Sequence, residues 1–154
     1  MDRRKQGLKR SVAVEAAGIP LAALPAPANH RDDRLLAATL DAIGVVGRLP
    51  EQPTVHLDAG YDYQLCRQVL AERGMAGEIA IRGAPAPIRV GCRWVVERTY
   101  AWGNQYGKLR WCTERRRPVV AFWLALASAV LVGGRLVRRA WTCCRWQGRP
   151  PRRP

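Results

Sequence analysis

The chain has 154 residues, 48% of them apolar, which is enough for one domain with a core and excludes a wholly disordered chain. Its 26 Lys and Arg against 12 Asp and Glu give a net charge of +14, which favours polyanionic partners such as nucleic acid. Five Cys without a C-x-x-C pair and two His suggest neither a disulfide framework nor a zinc site, so we expect a cytoplasmic protein.

The charge is unevenly distributed along the chain. Residues 93–154 contain fourteen of the basic groups, two of the acidic groups and all six Trp. Large aromatic side chains need a core or a partner, so we expect part of this basic half to be folded.

The first segment has two interpretations. Basic residues followed by an Ala-, Val- and Leu-rich stretch resemble an export signal, but Glu15 and a Gly-Ile-Pro turn interrupt the apolar region. Two short runs, 11–14 and 19–24, fit a β-hairpin instead. We therefore predict a hairpin here.

The middle of the chain alternates between helical and strand patterns. We predict a helix at 32–43 capped by Asp32 or Asp33, a strand at 54–57, a helix at 63–73 and a strand at 78–82. This order predicts an α/β fold with one sheet.

The basic half is predicted to be mostly helical. One long helix is expected from 93 to 111, because apolar side chains recur on one face. The members of that face are Val95, Thr99, Trp102, Tyr106 and Leu109. The fourteen uncharged residues 119–132 are too few to cross a bilayer comfortably, so we predict a buried core helix and no membrane partner. A basic membrane-associated protein is the weaker alternative for this segment.

Two carboxylates have both a structural and a chemical interpretation. Asp58 follows the predicted strand 54–57, where an Asp before Ala-Gly usually binds turn amides. Glu97 lies among basic and amide residues of the 93–111 helix, where an exposed ion pair with Arg93 explains it. Alternatively the two carboxylates converge on a divalent metal that drives phosphoryl transfer, a site that usually needs a third carboxylate.

Two segments carry a family resemblance. Val55–Asp62 reads Val-His-Leu-Asp-Ala-Gly-Tyr-Asp, and Arg93–Asn104 contains Arg-x-x-x-Glu followed by Arg-Thr-x-Ala-Trp-x-Asn. Both resemble the DDE transposases of bacterial insertion sequences, over about Lys5 to Arg149. The resemblance implies a ribonuclease-H-like mixed sheet flanked by helices, and a site of two Asp and one Glu that uses Mg²⁺ or Mn²⁺. By position, Asp58 would be the second metal-binding Asp and Glu97 the catalytic Glu.

The departures from the family pattern are also informative. In the family, the first Asp lies on the first strand, upstream of a stretch resembling Asp2 to Lys9, so we expect that Asp and its strand to be absent. Residues 1–140 would then be a partial catalytic domain, and 141–154 a basic, Pro-rich, disordered tail. Asn104 stands where the family usually has a basic residue, and Lys108 one turn further would contact phosphate instead.

These features lead to two hypotheses. The chain is a transposase fragment that binds double-stranded element ends, contributes two of three metal-binding carboxylates and is inactive alone. Alternatively it is a non-catalytic DNA-binding regulator that inhibits a full-length transposase by co-assembly. In either case a full-length or upstream-frame transposase subunit is a candidate partner. The residues expected to contact DNA are Arg93, Arg98, Asn104, Lys108, Arg115 and Arg116.

Overall fold

The computed structural model describes residues 7–81, 83–85 and 94–144. In this part of the chain four strands and five α-helices form a mixed α/β arrangement, as predicted. Single turns of 3-10 helix lie at Gly44–Val46 and Ala59–Tyr61. The strands and helices are β1 Leu8–Val14, β2 Pro20–Pro27, α1 Asp32–Ile43, β3 Thr54–Leu57, α2 Gln64–Glu72, β4 Ala76–Ile79, α3 Val95–Gly103, α4 Gly107–Arg110 and α5 Arg117–Cys143.

The predicted hairpin is confirmed. Strands β1 and β2 pair antiparallel, with Leu8 opposite Pro27. Gly18 has φ of 86° in the turn, a left-handed conformation that glycine adopts without strain. The carboxylate of Glu15 accepts a hydrogen bond from the Ile19 amide at 2.9 Å. Glu15 therefore closes the turn, which explains the charge that interrupts the export-signal pattern.

The single sheet that we predicted is not present among the described residues. Instead β1 pairs with β2, and β3 pairs in parallel with β4, as two separate sheets. Both sheets nevertheless pack on one core: Ala22 of β2 and Leu57 of β3 contact a cluster built mainly by α1 and α2. Sequence periodicity identifies strands, but the pairing of strands distant in sequence depends on tertiary packing, which explains the error.

Helix α1 has the predicted bounds but not the predicted cap. Arg31 occupies the N-cap position without a side-chain cap hydrogen bond, and both acids lie inside the first turn. Arg31 Nε binds Asp33 Oδ1 at 3.0 Å, while Asp32 pairs with Lys9 of β1 at 3.2 Å. The two negative charges therefore interact favourably with the positive end of the helix dipole. Their ion pairs connect the start of α1 to Arg31 and to β1.

The long helix predicted from 93 to 111 is interrupted. Helix α3 ends at Gly103 and α4 begins at Gly107, with Tyr106 in an extended conformation between them. Glycine is a poor helix former, and a Cβ at Gly103 would lie 3.2 Å from an Arg10 guanidinium nitrogen. The predicted apolar face is confirmed at its ends, because Val95 and Leu109 are buried.

Helix α5 is longer and more exposed than the buried helix that we predicted. It packs through Val120, Leu124 and Ala127, whereas Phe122 and Leu126 are exposed. Only 17% of its most apolar window is buried, and by length and composition alone the helix could cross a membrane, a test that core helices also pass. The helix includes the first three residues of the predicted tail, and 145–154 lie outside the described residues.

Candidate functional site

Asp58 lies where β3 ends, and it is exposed. Its Oδ1 accepts a hydrogen bond from the Gly60 amide at 2.8 Å and so caps the 3-10 turn that follows. The turn interpretation is therefore confirmed for one carboxylate oxygen. Among the described residues Oδ2 accepts no hydrogen bond, so a ligand in solvent can reach it.

Glu97 lies in the first turn of α3 on the exposed side of that helix. The opposite side is anchored to the hairpin: Thr99 Oγ1 donates to the Gly18 carbonyl at 2.9 Å, and the Tyr100 hydroxyl donates to the Arg10 carbonyl. Glu97 forms no ion pair with a described residue. Arg93, its predicted partner and a predicted DNA contact, lies outside the described residues.

The pKa of Tyr61 is affected by Asp58 and by residues of α1 and α3. Burial raises the pKa of the Tyr61 phenol well above its ordinary value, and the negative charge of Asp32 adds to this effect. Asp58 and the neighbouring phenol of Tyr100 raise it further. Asp32, Asp58 and Tyr100 of α3 therefore all influence the Tyr61 phenol.

Tyr100 makes the corresponding connection to Glu97. Burial also raises its pKa, Arg10 opposes the rise, and Asp32 and Glu97 contribute to it. Each predicted acid therefore acts on one of two neighbouring tyrosines, and Asp32 acts on both.

The carboxylates of Asp58 and Glu97 are suitable ligands for a hard divalent cation, but two ligands are a small set. Carboxylate oxygens are the ligands that Mg²⁺ prefers, and Asp58 and Glu97 are exposed without an ion-pair partner among the described residues. Asp32 already pairs with Lys9. Within 7–81, 83–85 and 94–144, no three His, Cys, Asp or Glu side chains are grouped closely enough to hold a metal ion.

Asn104 is exposed, and one of its side-chain atoms has a partner within the protein. Its side-chain oxygen accepts a hydrogen bond from the Arg10 guanidinium, across the contact between α3 and β1. Arg10 also lies over the Tyr100 ring, at 5.2 Å from the centroid. Asn104 therefore helps to position Arg10, a residue of the basic N-terminal segment.

Three predicted DNA contacts lie in or near α4 and α5: Lys108 is in α4, and Arg115 and Arg116 directly precede α5. Lys108 is exposed, 6.0 Å from the Trp123 ring centroid, and the break after Gly103 puts it on a different helix from Glu97. Arg116 pairs with Glu114 through Nε at 3.2 Å and Nη2 at 3.1 Å. These bonds, with backbone amides of Arg116 and then Arg115, hold the pKa of Glu114 at about 2.

Arg98 has a ring partner, and this contact reveals another residue. Its guanidinium carbon lies 5.4 Å from the Trp102 ring centroid, and that of Arg135 lies 4.0 Å from the same centroid. The sequence placed Trp102 on the apolar face of the predicted 93–111 helix. The Arg98–Trp102 spacing of four predicts the first contact, but no local pattern predicts the second.

Comparisons with known proteins give consistent results. A family model described as a transposase DDE domain matches residues 2–84, a range that includes Asp58. The chain is also similar to the protein assigned as the transposase for insertion sequence element IS402 in Burkholderia cepacia. The two are 36% identical over 143 residues, which cover 89% of this chain and 68% of that protein. No solved structure matches the chain.

Proposed function

Because this chain belongs to the family of transposases with a DDE domain, we propose that it acts in DNA transposition, binding DNA and contributing Asp58 and Glu97 to the nuclease site. The observation that carries the proposal is the position of these acids. Asp58 directly follows β3 and Glu97 lies in the first turn of α3, and both are exposed and form no ion pair with a described residue.

The two acids would hold Mg²⁺ or Mn²⁺. When bound, such an ion activates the attacking oxygen of water or a 3′-hydroxyl and stabilises the leaving oxygen in an in-line displacement. Asp58 Oδ1 is held by the Gly60 amide, so Oδ2 would be the ligand. Glu97 would bind from the first turn of α3, while the basic residues of the same half bind the phosphates.

The third carboxylate is proposed to come from another subunit. In the ribonuclease-H-like fold implied by the resemblance, one mixed sheet carries the first Asp on its first strand. Here two sheets share one core without pairing with each other in the described part of the chain. A strand from a full-length or upstream-frame transposase would join them and supply the Asp, with residues 1–140 acting as a partial catalytic domain.

A complementation assay tests this proposal. The purified chain is mixed with labelled duplex carrying element ends in Mg²⁺, alone and with a full-length transposase that keeps its first catalytic Asp but has its second catalytic Asp and its catalytic Glu replaced by Ala. We expect DNA binding but little cleavage by the chain alone, and cleavage when both are present. Asp58→Ala or Glu97→Ala in the chain should abolish it, whereas Glu51→Gln, a loss of an exposed acid elsewhere, should not.

Two results would contradict the proposal in different ways. Strong Mg²⁺-dependent cleavage by the chain alone, lost in Asp58→Ala, would show that the missing ligand was misjudged. Cleavage that is unaffected by Asp58→Ala and by Glu97→Ala would show that the two acids are not part of the nuclease site.

A second function, inhibition of an intact transposase, is favoured by the basic half and by the lack of a three-ligand metal group among the described residues. The test is to add the chain carrying both Asp58→Ala and Glu97→Ala to an active full-length enzyme. Inhibition in proportion to the amount added would support this function. Unchanged activity, with DNA binding retained, would contradict it.

Transposases typically act in the cytoplasm, and we propose the same location here, with DNA and transposase subunits as partners and no membrane. Because α5 is apolar and largely exposed, the proposed location should be tested directly. Expression in the soluble fraction without detergent is the expected outcome. Recovery only in the membrane fraction would contradict it.

A further inference from the structure

Helices α3 and α5 meet at an indole that contacts two arginines. Arg98 comes from the same helix as Trp102, one turn earlier, and Arg135 comes from α5. Their guanidinium carbons are 5.4 Å and 4.0 Å from the Trp102 ring centroid. The indole therefore receives one positively charged group from α3 and one from α5.

No carboxylate in the described part of the chain pairs with Arg98 or Arg135, although several other arginines form ion pairs. The face of the indole attracts each cation, but it carries no net charge and leaves their mutual repulsion in place. A bound anion would relieve that repulsion.

Arg98 and Trp102 also lie against the hairpin turn. A Cβ at Gly18 would be 3.3 Å from the Trp102 ring and 3.5 Å from an Arg98 nitrogen. The Thr99 hydroxyl donates to the Gly18 carbonyl at 2.9 Å and fixes this contact. Restricting a flexible arginine before binding reduces the entropy that a ligand must overcome.

We propose that Arg98 and Arg135, stacked on Trp102, form a binding site for a phosphate of the DNA backbone. Planar guanidinium groups match phosphate oxygens with paired hydrogen bonds, and stacking leaves their edges available. Arg98 directly follows Glu97, so the bound phosphate belongs to the DNA strand that passes the proposed nuclease site. This inference rests on the proposed DNA binding, and it assigns Arg135 and Trp102 to the interface.

The test compares two arginines of α5 that carry the same charge. Arg135 stacks on Trp102, whereas Arg139 is exposed and has no ring or carboxylate partner among the described residues. Binding of a fluorescent duplex is measured by anisotropy over a range of salt concentrations for Arg135→Lys, Arg139→Lys and the two alanine variants. Circular dichroism checks that each variant is folded.

We expect Arg135→Lys to weaken binding about threefold to tenfold, because lysine keeps the charge but loses the planar stacking geometry. Arg135→Ala should weaken it by about tenfold or more and reduce the slope of log K against log salt by about 0.9. Arg139→Lys should have no effect. Trp102→Phe should resemble Arg135→Lys, because phenylalanine binds cations less strongly than tryptophan.

The outcomes separate this inference from the proposed function. If the unmodified chain shows no salt-dependent DNA binding, the proposed function itself fails. If it binds, but Arg135→Lys and Arg139→Lys bind equally well, the stacked site is wrong and the basic half acts as a diffuse surface. An unfolded Arg135→Ala protein would not affect this comparison, because the two lysine variants decide it.

Discussion

Replacing Leu124 by Ala tests the orientation of α5, on which the position of Arg135 depends. Leu124 is 3% exposed and lies in a cluster with Leu109, Val120 and Ala127. Leu126, two residues further on the same helix, is 44% exposed. The two substitutions remove the same atoms with the same change in helix propensity, so they differ mainly in burial.

The expected costs follow from that difference. Leu-to-Ala substitutions at buried sites cost about 2 to 5 kcal/mol, through lost apolar burial and the cavity left behind, and we expect about 3 kcal/mol for Leu124→Ala. Leu126 buries roughly half of its side chain and leaves no enclosed cavity, so about 1 kcal/mol is expected. For a chain of this size these values correspond to decreases in Tm of about 6–12 °C and 2–4 °C.

The assay is thermal and urea unfolding followed by far-UV circular dichroism and tryptophan fluorescence. Trp123 packs against the cluster and should report the loss of packing in Leu124→Ala. Equal costs for the two variants, or a greater cost for Leu126→Ala, would refute the orientation. In that case α5 would present its other side to the core, and the contact between Arg135 and Trp102 would be lost with it.

Three further predictions concern packing, pH and salt. Gly77→Ala should cost about 1–3 kcal/mol in urea unfolding, because a Cβ would lie 2.4 Å from a methyl of the buried Leu70, whereas Gly44→Ala, with no atom within 4 Å, should cost nothing. The pKa of Glu114, lowered from 4.5 to about 2 first by its hydrogen bonds with Arg116, should be visible by NMR titration. Because the pKa of Glu114 is lower in the folded state, its ionised carboxylate stabilises the fold above about pH 4.5, and this stabilisation is lost as the pH falls toward 2. In Glu114→Gln, the free energy of unfolding should therefore depend less on pH over that range. Affinity for duplex DNA should fall linearly with log salt, and a flat dependence would show that the basic half is not the binding surface.

Short-range patterns predicted much of the local structure correctly. Helix α1 and strand β3 have the predicted bounds, because side-chain periodicity and the flanking turn residues act within a few positions of each other. The hairpin was also predicted, since Glu15 and Gly18 form a local turn. The turn role of Asp58 was recognised for the same reason.

Interactions between distant segments were predicted less well. Helix α3 ends at Gly103, and the apolar spacing that continues to Leu109 did not predict this break, although glycine is a poor helix former. The hydrogen bond from Arg10 to Asn104 likewise joins residues 94 positions apart, and no short spacing predicts it. Likewise, the exposed side of α5 became clear only when the residues it packs against were known.

The sequence by itself determined the family, the two candidate acids and the concentration of positive charge in the second half, because these depend on residue identity and short spacing. Only the tertiary structure decided that α3 packs against the hairpin through the hydrogen bond from Thr99 to Gly18, and that α5 brings Arg135 to Trp102. The physical reason is that packing joins residues far apart in sequence, and a local pattern contains no information about which surfaces will meet.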